Sequence, residues 1–445
     1  MKVGPKHALL SPGTTWREVW KPRPARSAQI ALTARPPSST IVVLFAFLWR
    51  RCPITTTKIH ITGSCDSRFR PVKDAFAENF ARGQEVGAAV AVMVDGEMVV
   101  DLWAGAADQA GNRPWERDTI VNVYSTTKGM TALCAHRLVD QGLLDLDAPA
   151  AKYWPEFAQG GKERLPVRYL LSHRAGLPAL ADPLPKGSVY QWDVMTAALA
   201  AQEPWWEPGT KHGYHAMTYG WLVGEVVRRI SGKTLGTFFR EEIAVPLGLD
   251  FHIGLSAEHD ARTAELIPPP PLGPGESSDL AQILGDPQSM SFKAFVISPD
   301  ETEPGRVNSR EWRGSEIPAA NGHGNARSLA RVYGALAKGG ELDGVSILSR
   351  AAIDGAIVEQ SSGTDAVLGR PNRIALGFWL TTPDIALGRS ARSFGHSGMG
   401  GSLGFADPEA KIGFGYTMNQ MQLRIGTELI DRRVAPLIEA VFASS

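Results

Sequence analysis

The sequence predicts an α+β fold: one antiparallel sheet flanked by N- and C-terminal helices, with a mostly helical lobe inserted between its two halves. Three observations predict it. Paired apolar, β-prone runs occur at residues 87–105 and again after Ser390. An amphipathic helical pattern precedes the first pair, and another closes the chain. The stretch between them reads as mostly helical. A sheet that opens near one end of a chain and resumes near the other is most simply a single sheet, with the terminal helices covering one face.

Each element has its own signal. In "DSRFRPVKDAFAENFARG" (66–83), Val72, Phe76, Ala77 and Phe80 share one helical face, and Gly83 suits a C-terminal stop. "GAAVAVMVDGEMVVDLWAG" (87–105) places two strand-like runs around Asp95-Gly96, the dipeptide of a tight hairpin. Met130, Leu133, Cys134, Arg137, Leu138 and Gln141 follow helical spacing up to Gly142. "PVRYLLSHRAGLP" predicts a short helix ending at His173–Gly176, and residues 190–245 read mostly helical. "IPPPPLGPG" (267–275) excludes regular structure and predicts an extended surface loop. "NARSLARVYGALAKGG" predicts a helix ending at Gly339-Gly340. After Ser390 comes a strand, then a hairpin turning near Asp407-Pro408-Glu409. "TELIDRRVAPLIEAVFA" closes the chain as an amphipathic helix that Pro436 should kink. No internal repeat is seen.

Composition narrows the function. Of 445 residues, 43% are apolar and 21% charged, ordinary for a globular chain with a substantial core. Net charge is zero, so no nucleic acid or membrane partner is expected. Cys52, Cys65 and Cys134 form no metal or redox spacing, and a cytoplasmic location is expected. The charge is uneven. Residues 1–60 hold ten of the 46 basic residues and one of the 46 acidic ones, leaving 36 and 45. This basic leader shows no regular period. Its apolar run Ile41–Trp49 is nine residues long, too short to span a bilayer as a helix. It reads as a disordered leader, a targeting peptide or sequence upstream of the true start, and the abrupt change of composition favours the last. The body, 61–445, divides into a sheet lobe (about 61–150 and 325–445) and a helical lobe (about 151–324).

The chemistry centres on "VYSTTKGMTA" (123–132). Among fourteen lysines, only Lys128 has a serine, Ser125, three residues before it. Positions i and i+3 share a helix face. A serine needs a base to become a nucleophile, and a lysine serves only when neutral. Burial, or a helix N-terminus, would lower its pKa. The spacing alone leaves open an ordinary helix cap with a solvated lysine.

The surroundings add a resemblance. "VNVYSTTKGMTALCAHRLVDQGLLDLDAPA", "EPGTKHGYHAMTYGWLVGEVV", "NGHGNARSLARVYGALAKGG" and "FGHSGMGGSLGFADPEAKIGFGYTMNQ" resemble, in order, the serine β-lactamase and penicillin-binding protein superfamily. The closest likeness is to its class C and family VIII carboxylesterase branch. It covers roughly residues 61–440 and implies a β-lactamase-like fold with an acyl-enzyme mechanism. By that resemblance Ser125 is the nucleophile, Lys128 its proton acceptor and Tyr214 the residue that shuttles the proton. His396-Ser397-Gly398 stand at the Lys-Thr-Gly motif, His396 orienting substrate or Tyr214, and Gly398 letting substrate approach the strand. The amides of Ser125 and Met399 would hold the oxyanion. Two departures matter: Ala216 stands where Asn is expected, and His396 where Lys is. Both argue against efficient β-lactam hydrolysis and for a neutral, small-molecule ester.

The expected activity is therefore a carboxylesterase without metal or cofactor. Acyl transfer, amide or β-lactam hydrolysis by the same site, and a non-catalytic binding role, are the alternatives. Gly400-Gly401-Ser402-Leu403-Gly404 fits the G-x-S-x-G elbow of a different hydrolase fold. That elbow requires a following helix and a later histidine, and neither is expected here. His212 and His215 have a metal-like gap but no third ligand. His173 is expected to hold a turn, and His323 to lie in a loop near the pocket. Trp205, Trp206, Trp312 and Trp379 are either core or walls of an acyl pocket.

Overall fold

A computed structural model describes residues 59–382, 385–423 and 431–445. Apart from Ile59 and His60, the leader expected at 1–60 lies outside the described residues. In chain order the strands are β1 (Thr62–Cys65), β2 (Gly87–Val94), β3 (Glu97–Gly105), β4 (Val121–Asn122), β5 (Phe251–His252), β6 (His323–Gly324) and β7 (Glu341–Leu342). They continue with β8 (Val345–Ser346), β9 (Ser361–Thr364), β10 (Pro371–Ile374), β11 (Trp379–Leu380), β12 (Phe394–Ser397), β13 (Leu403–Asp407) and β14 (Ile412–Met418).

Nine of these form one antiparallel sheet in the order β1-β3-β2-β14-β13-β12-β11-β10-β9. The two hairpins read from the sequence meet at its centre, with Val90 opposite Tyr416 and Val92 opposite Phe414. The Asp95-Gly96 turn has both residues at positive φ, 48° and 90°, as a type I′ hairpin requires. The second hairpin turns over residues 408–411. The sheet is wider than expected. β1 adds an edge on one side, and β9–β11 extend the other before Ser390. β1, β9 and β10 are short and mostly polar, β9 is largely exposed, and β11 is a buried pair, Trp379-Leu380, too short to show a period.

The helices Arg70–Ala81 and Val434–Ser444 pack together on one face with Val72, Phe76, Leu437 and Val441 buried. The other face is covered by the helix Ala326–Ala337, whose small residues allow close approach. A Cβ on Gly413 would stand 2.1 Å from the backbone of Gly334. The expected kink at Pro436 does not occur. The final helix begins at Val434, so the proline sits in its first turn, where its missing N–H breaks no bond. The helical stretch expected over 190–245 is interrupted at 202–217, and that interruption carries Tyr214. Residues 267–275 contain no helix or strand, as expected.

Candidate active site

The turn that carries Ser125 is built from segments distant in the chain. β4 pairs with β6, and β6 with β5, in a small sheet that delivers Val123 to the site. Ser125 lies in a 3₁₀ turn, Tyr124–Thr126, that runs into the helix Thr127–Asp140. Tyr124 holds a positive φ of 43°, a strained conformation for a tyrosine. Its neighbours impose it. The Tyr124 amide donates to Asn122 Oδ1, and Thr127 Oγ1 donates to the Tyr124 carbonyl. The first intraturn bond is Thr126 N–H to Val123 O, so the Ser125 amide precedes it.

Lys128 is fully buried one turn behind. Its Nζ lies 2.7 Å from Ala216 O, 2.8 Å from Ala319 O and 3.1 Å from Ser125 Oγ. Burial pushes its pKa well below the ordinary lysine value. The cause is desolvation. A neutral amine has two hydrogens and one lone pair. With both hydrogens on carbonyls, the lone pair is left for the serine. The second carbonyl comes from a segment the sequence reading passed over. Asn321 accepts from Ile317 N–H and donates to Trp312 O and Ser315 O, which fixes the turn that presents Ala319 O.

Tyr214 is buried in the interrupting loop, and Lys128 Nζ sits 4.8 Å from its ring centroid. Its backbone is pinned on both sides. His173 accepts from Gly213 N–H through its carbonyl and from His215 N–H through Nδ1. His173 itself has φ of 58°, so it holds a turn as expected. Asp365, wholly buried, accepts from Tyr214 N–H through Oδ1 at 2.9 Å. It also accepts from the amides of Val367 and Leu368 and from Asn372 Nδ2. No local pattern marks Asp365, which lies 151 residues from Tyr214.

The third stretch lies on β12. His396 is buried against Trp379, 5.5 Å between ring centroids, and Tyr214, 6.1 Å. Burial holds its pKa down at about 3, so the ring is neutral. Ser397, Gly398 and Met399 line the cleft with Ser125 and Tyr214. Among the described residues the Met399 amide has no recorded backbone acceptor. Gly398 also has a reason within the fold. A Cβ there would meet Val123 O at 2.1 Å and Ser402 Oγ at 2.2 Å. The glycine therefore lets the end of β12 dock on the Ser125 turn.

Ser402 is itself part of that dock. Its Oγ donates to Val123 O at 2.7 Å and lies 3.0 Å from Thr126 Oγ1. It precedes β13 in a hairpin, with no helix after it, so the elbow reading fails. Of the four tryptophans, only Trp379 lines the cleft. His323 lies in β6 rather than a pocket loop, its Nδ1 on Asn321 O. His212 bonds Asn372, while His215 bonds Gly213 O and the Leu177 amide. No group of side chains among the described residues could hold a metal ion. The cleft encloses ≈ 120 Å³. Its walls include Leu280, Ile283, Phe295, Ile385 and Leu387, and Arg370, over the Trp379 ring, also reaches it.

A half-buried serine against a fully buried lysine, beside an antiparallel sheet, defines the class, and the comparisons agree. Residues 72–435 match the Beta-lactamase family model, and the chain belongs to that family. It is 38% identical over 369 residues to an esterase/beta-lactamase, LipL, of Mycobacterium tuberculosis, covering 81% of this chain and 83% of that protein. A solved structure described as a family VIII carboxylesterase superposes with a TM-score of 0.78 at 43% identity, covering 87% of this chain and all of that one. A penicillin-binding protein homologue from Caulobacter crescentus gives 0.77 at 41%, with the same coverage. Among the described residues, no helix is long and apolar enough to cross a membrane.

Proposed function

We propose that this protein is a serine carboxylesterase that cleaves short-chain esters through an acyl-enzyme. The observation that carries the reading is the placement of Lys128. Two carbonyls take its hydrogens, burial disfavours its cation, and Ser125 Oγ lies 3.1 Å away. In the acylation step the Ser125 proton passes to Lys128 Nζ as Oγ bonds to the ester carbon. The negative charge on the former carbonyl oxygen falls to the amides of Ser125 and Met399. Collapse breaks the ester C–O bond, and Tyr214 passes the proton to the leaving alkoxide. Water then attacks the acyl-enzyme with its proton taken by the same pair, releasing the acid and Ser125.

Two features favour a neutral ester over a β-lactam. His396 is uncharged where the motif of the resembled enzymes has a lysine. Ala216 presents only a methyl group where they have an amide. The apolar walls of the cleft suit an acyl chain. The names of the relatives, esterase/beta-lactamase and family VIII carboxylesterase, support the reading. The test is hydrolysis of p-nitrophenyl butyrate by the wild type, Ser125→Ala and Tyr214→Phe, with mass spectrometry for butyrylated Ser125. Loss of turnover in Ser125→Ala is expected. Retained activity in that variant would overturn the assignment.

A further inference from the structure

Against the cleft wall lies a largely buried charge cluster that the proposed chemistry does not use, with Asp431 at the cleft and Glu85 and Arg433 fully enclosed. Arg433, fully buried just before the C-terminal helix, donates Nη1 to Glu85 at 3.0 Å. Its Nε and Nη2 form a two-point contact with Asp431, at 2.9 and 2.7 Å. Glu85 also accepts from the Tyr416 hydroxyl. The remaining reach of the guanidinium goes to backbone: Nη1 to Gln420 O at 2.8 Å, and Nη2 to Gly400 O at 2.6 Å.

That last contact leads to the site through peptide units. The Gly400 carbonyl and the Gly401 N–H belong to one rigid peptide. The Gly401 N–H donates to Gly398 O at 3.2 Å. The Gly398 carbonyl shares its own peptide with the Met399 N–H, the proposed oxyanion donor. The guanidinium therefore fixes one peptide, and that peptide fixes the orientation of the next. The loop is shaped to lie on the cluster. Gly401 has φ of 129°, and a Cβ there would stand 2.3 Å from Arg433 Nη2 and 2.4 Å from Asp431 Oδ2. On its other side, Gly398 N–H donates to Ser402 O at 2.7 Å. A buried ion pair is costly to hold unless its geometry is fixed, and here every nitrogen of the guanidinium is bonded.

We infer that Arg433 is a positioning residue for ester hydrolysis, aiming the Met399 amide at the oxyanion through the Gly400–Gly401 and Gly398–Met399 peptides. The inference rests on the function proposed above. An aimed donor acts on the transition state more than on bound substrate. Arg433→Lys keeps the charge but loses the planar, multidentate fork. It is expected to lower kcat for p-nitrophenyl butyrate by about tenfold to a hundredfold, less than outright loss of an oxyanion donor. KM should stay within about twofold, and phenylboronic acid, which forms a tetrahedral anion on the serine, should bind weaker by a similar factor. Glu85→Gln keeps the shape while removing the charge that holds Nη1, and should move the same two readouts in the same direction. A folded Arg433→Lys with unchanged kcat, or with its loss confined to KM, overturns the inference while leaving the esterase reading intact. If Arg433→Lys does not fold, an unchanged kcat in Glu85→Gln overturns it instead. A wild type inactive on the ester overturns both.

Discussion

Lys128 Nζ donates to the backbone carbonyl of Ala216 at 2.7 Å. The position that lacks the expected asparagine side chain thus still holds Lys128, through an atom that any residue supplies. This explains how the Ser125-Lys128 pair stays intact while the side chain two residues after Tyr214 has changed. It also bears on how activity depends on pH.

Acid should switch the enzyme off. Protonation of Lys128 removes the lone pair that accepts the Ser125 proton, so kcat/KM falls as pH drops through the pKa of Lys128. Burial lowers that pKa, which extends the active range toward neutrality from the alkaline side. The check is a pH–rate profile with p-nitrophenyl butyrate from pH 5 to 9. A flat profile would contradict Lys128 as base. Lys128→Met, which has no lone pair of comparable basicity, should lower kcat by about 10²–10⁴.

Ser402→Ala should remain an esterase. Its hydroxyl is committed to Val123 O and Thr126 Oγ1, so the substitution removes a strut and leaves the nucleophile in place. A stability loss of about 1–3 kcal/mol is expected, read from urea unfolding, because a buried carbonyl loses its donor. Inactivity in Ser402→Ala, with turnover surviving in Ser125→Ala, would reverse the assignment of nucleophile.

Asp365→Ala should lose both stability and activity. The carboxylate satisfies three amides and the Asn372 side chain in a fully buried place, including the amide of Tyr214 itself. A cost of about 3 kcal/mol or more is expected from leaving such donors unmatched. Asp365→Asn, which can still accept at one oxygen, should recover part of kcat. Equal kcat in both variants would show that Asp365 supports the fold alone.

The protein should lose stability in mild acid through its buried histidines. Burial holds the pKa values of His396 and His323 at about 3, and of His215 at about 4, below the ordinary 6.5. These groups stay neutral in the fold and take up protons on unfolding. Their contribution is present above pH 6.5 and is lost as pH falls from 6.5 toward 3–4. At pH 5.5 each lowers stability by about 1.4 kcal/mol relative to neutral pH. Urea unfolding at pH 7.5 and 5.5 measures the sum when run in the Glu85→Gln variant, which removes the opposing titration of a buried carboxyl pushed up to about 7. No change in midpoint between the two would refute the buried, neutral assignment.

The sequence by itself determined the frame and pointed to the Ser125-Lys128 pair. The Asp95-Gly96 hairpin, the strands around Asp407–Glu409 and the helices at 70–81, 127–140 and 326–337 were legible because their signals are local: turn chemistry, period and caps. The Ser125 to Lys128 spacing was legible for the same reason, since three residues along a helix fix a contact. Strands β9–β11 were not, because runs of two to four residues are too short to show an apolar alternation. Only the tertiary structure decided what stands behind the site. Ala216 O and Ala319 O meet Lys128 across 88 and 191 residues, Asp365 meets Tyr214 across 151, and Arg433 meets Gly400 across 33. Most of these contacts end on backbone atoms, which every sequence offers everywhere. Which carbonyl or amide is brought to the site depends on packing at long range, and no residue type announces it.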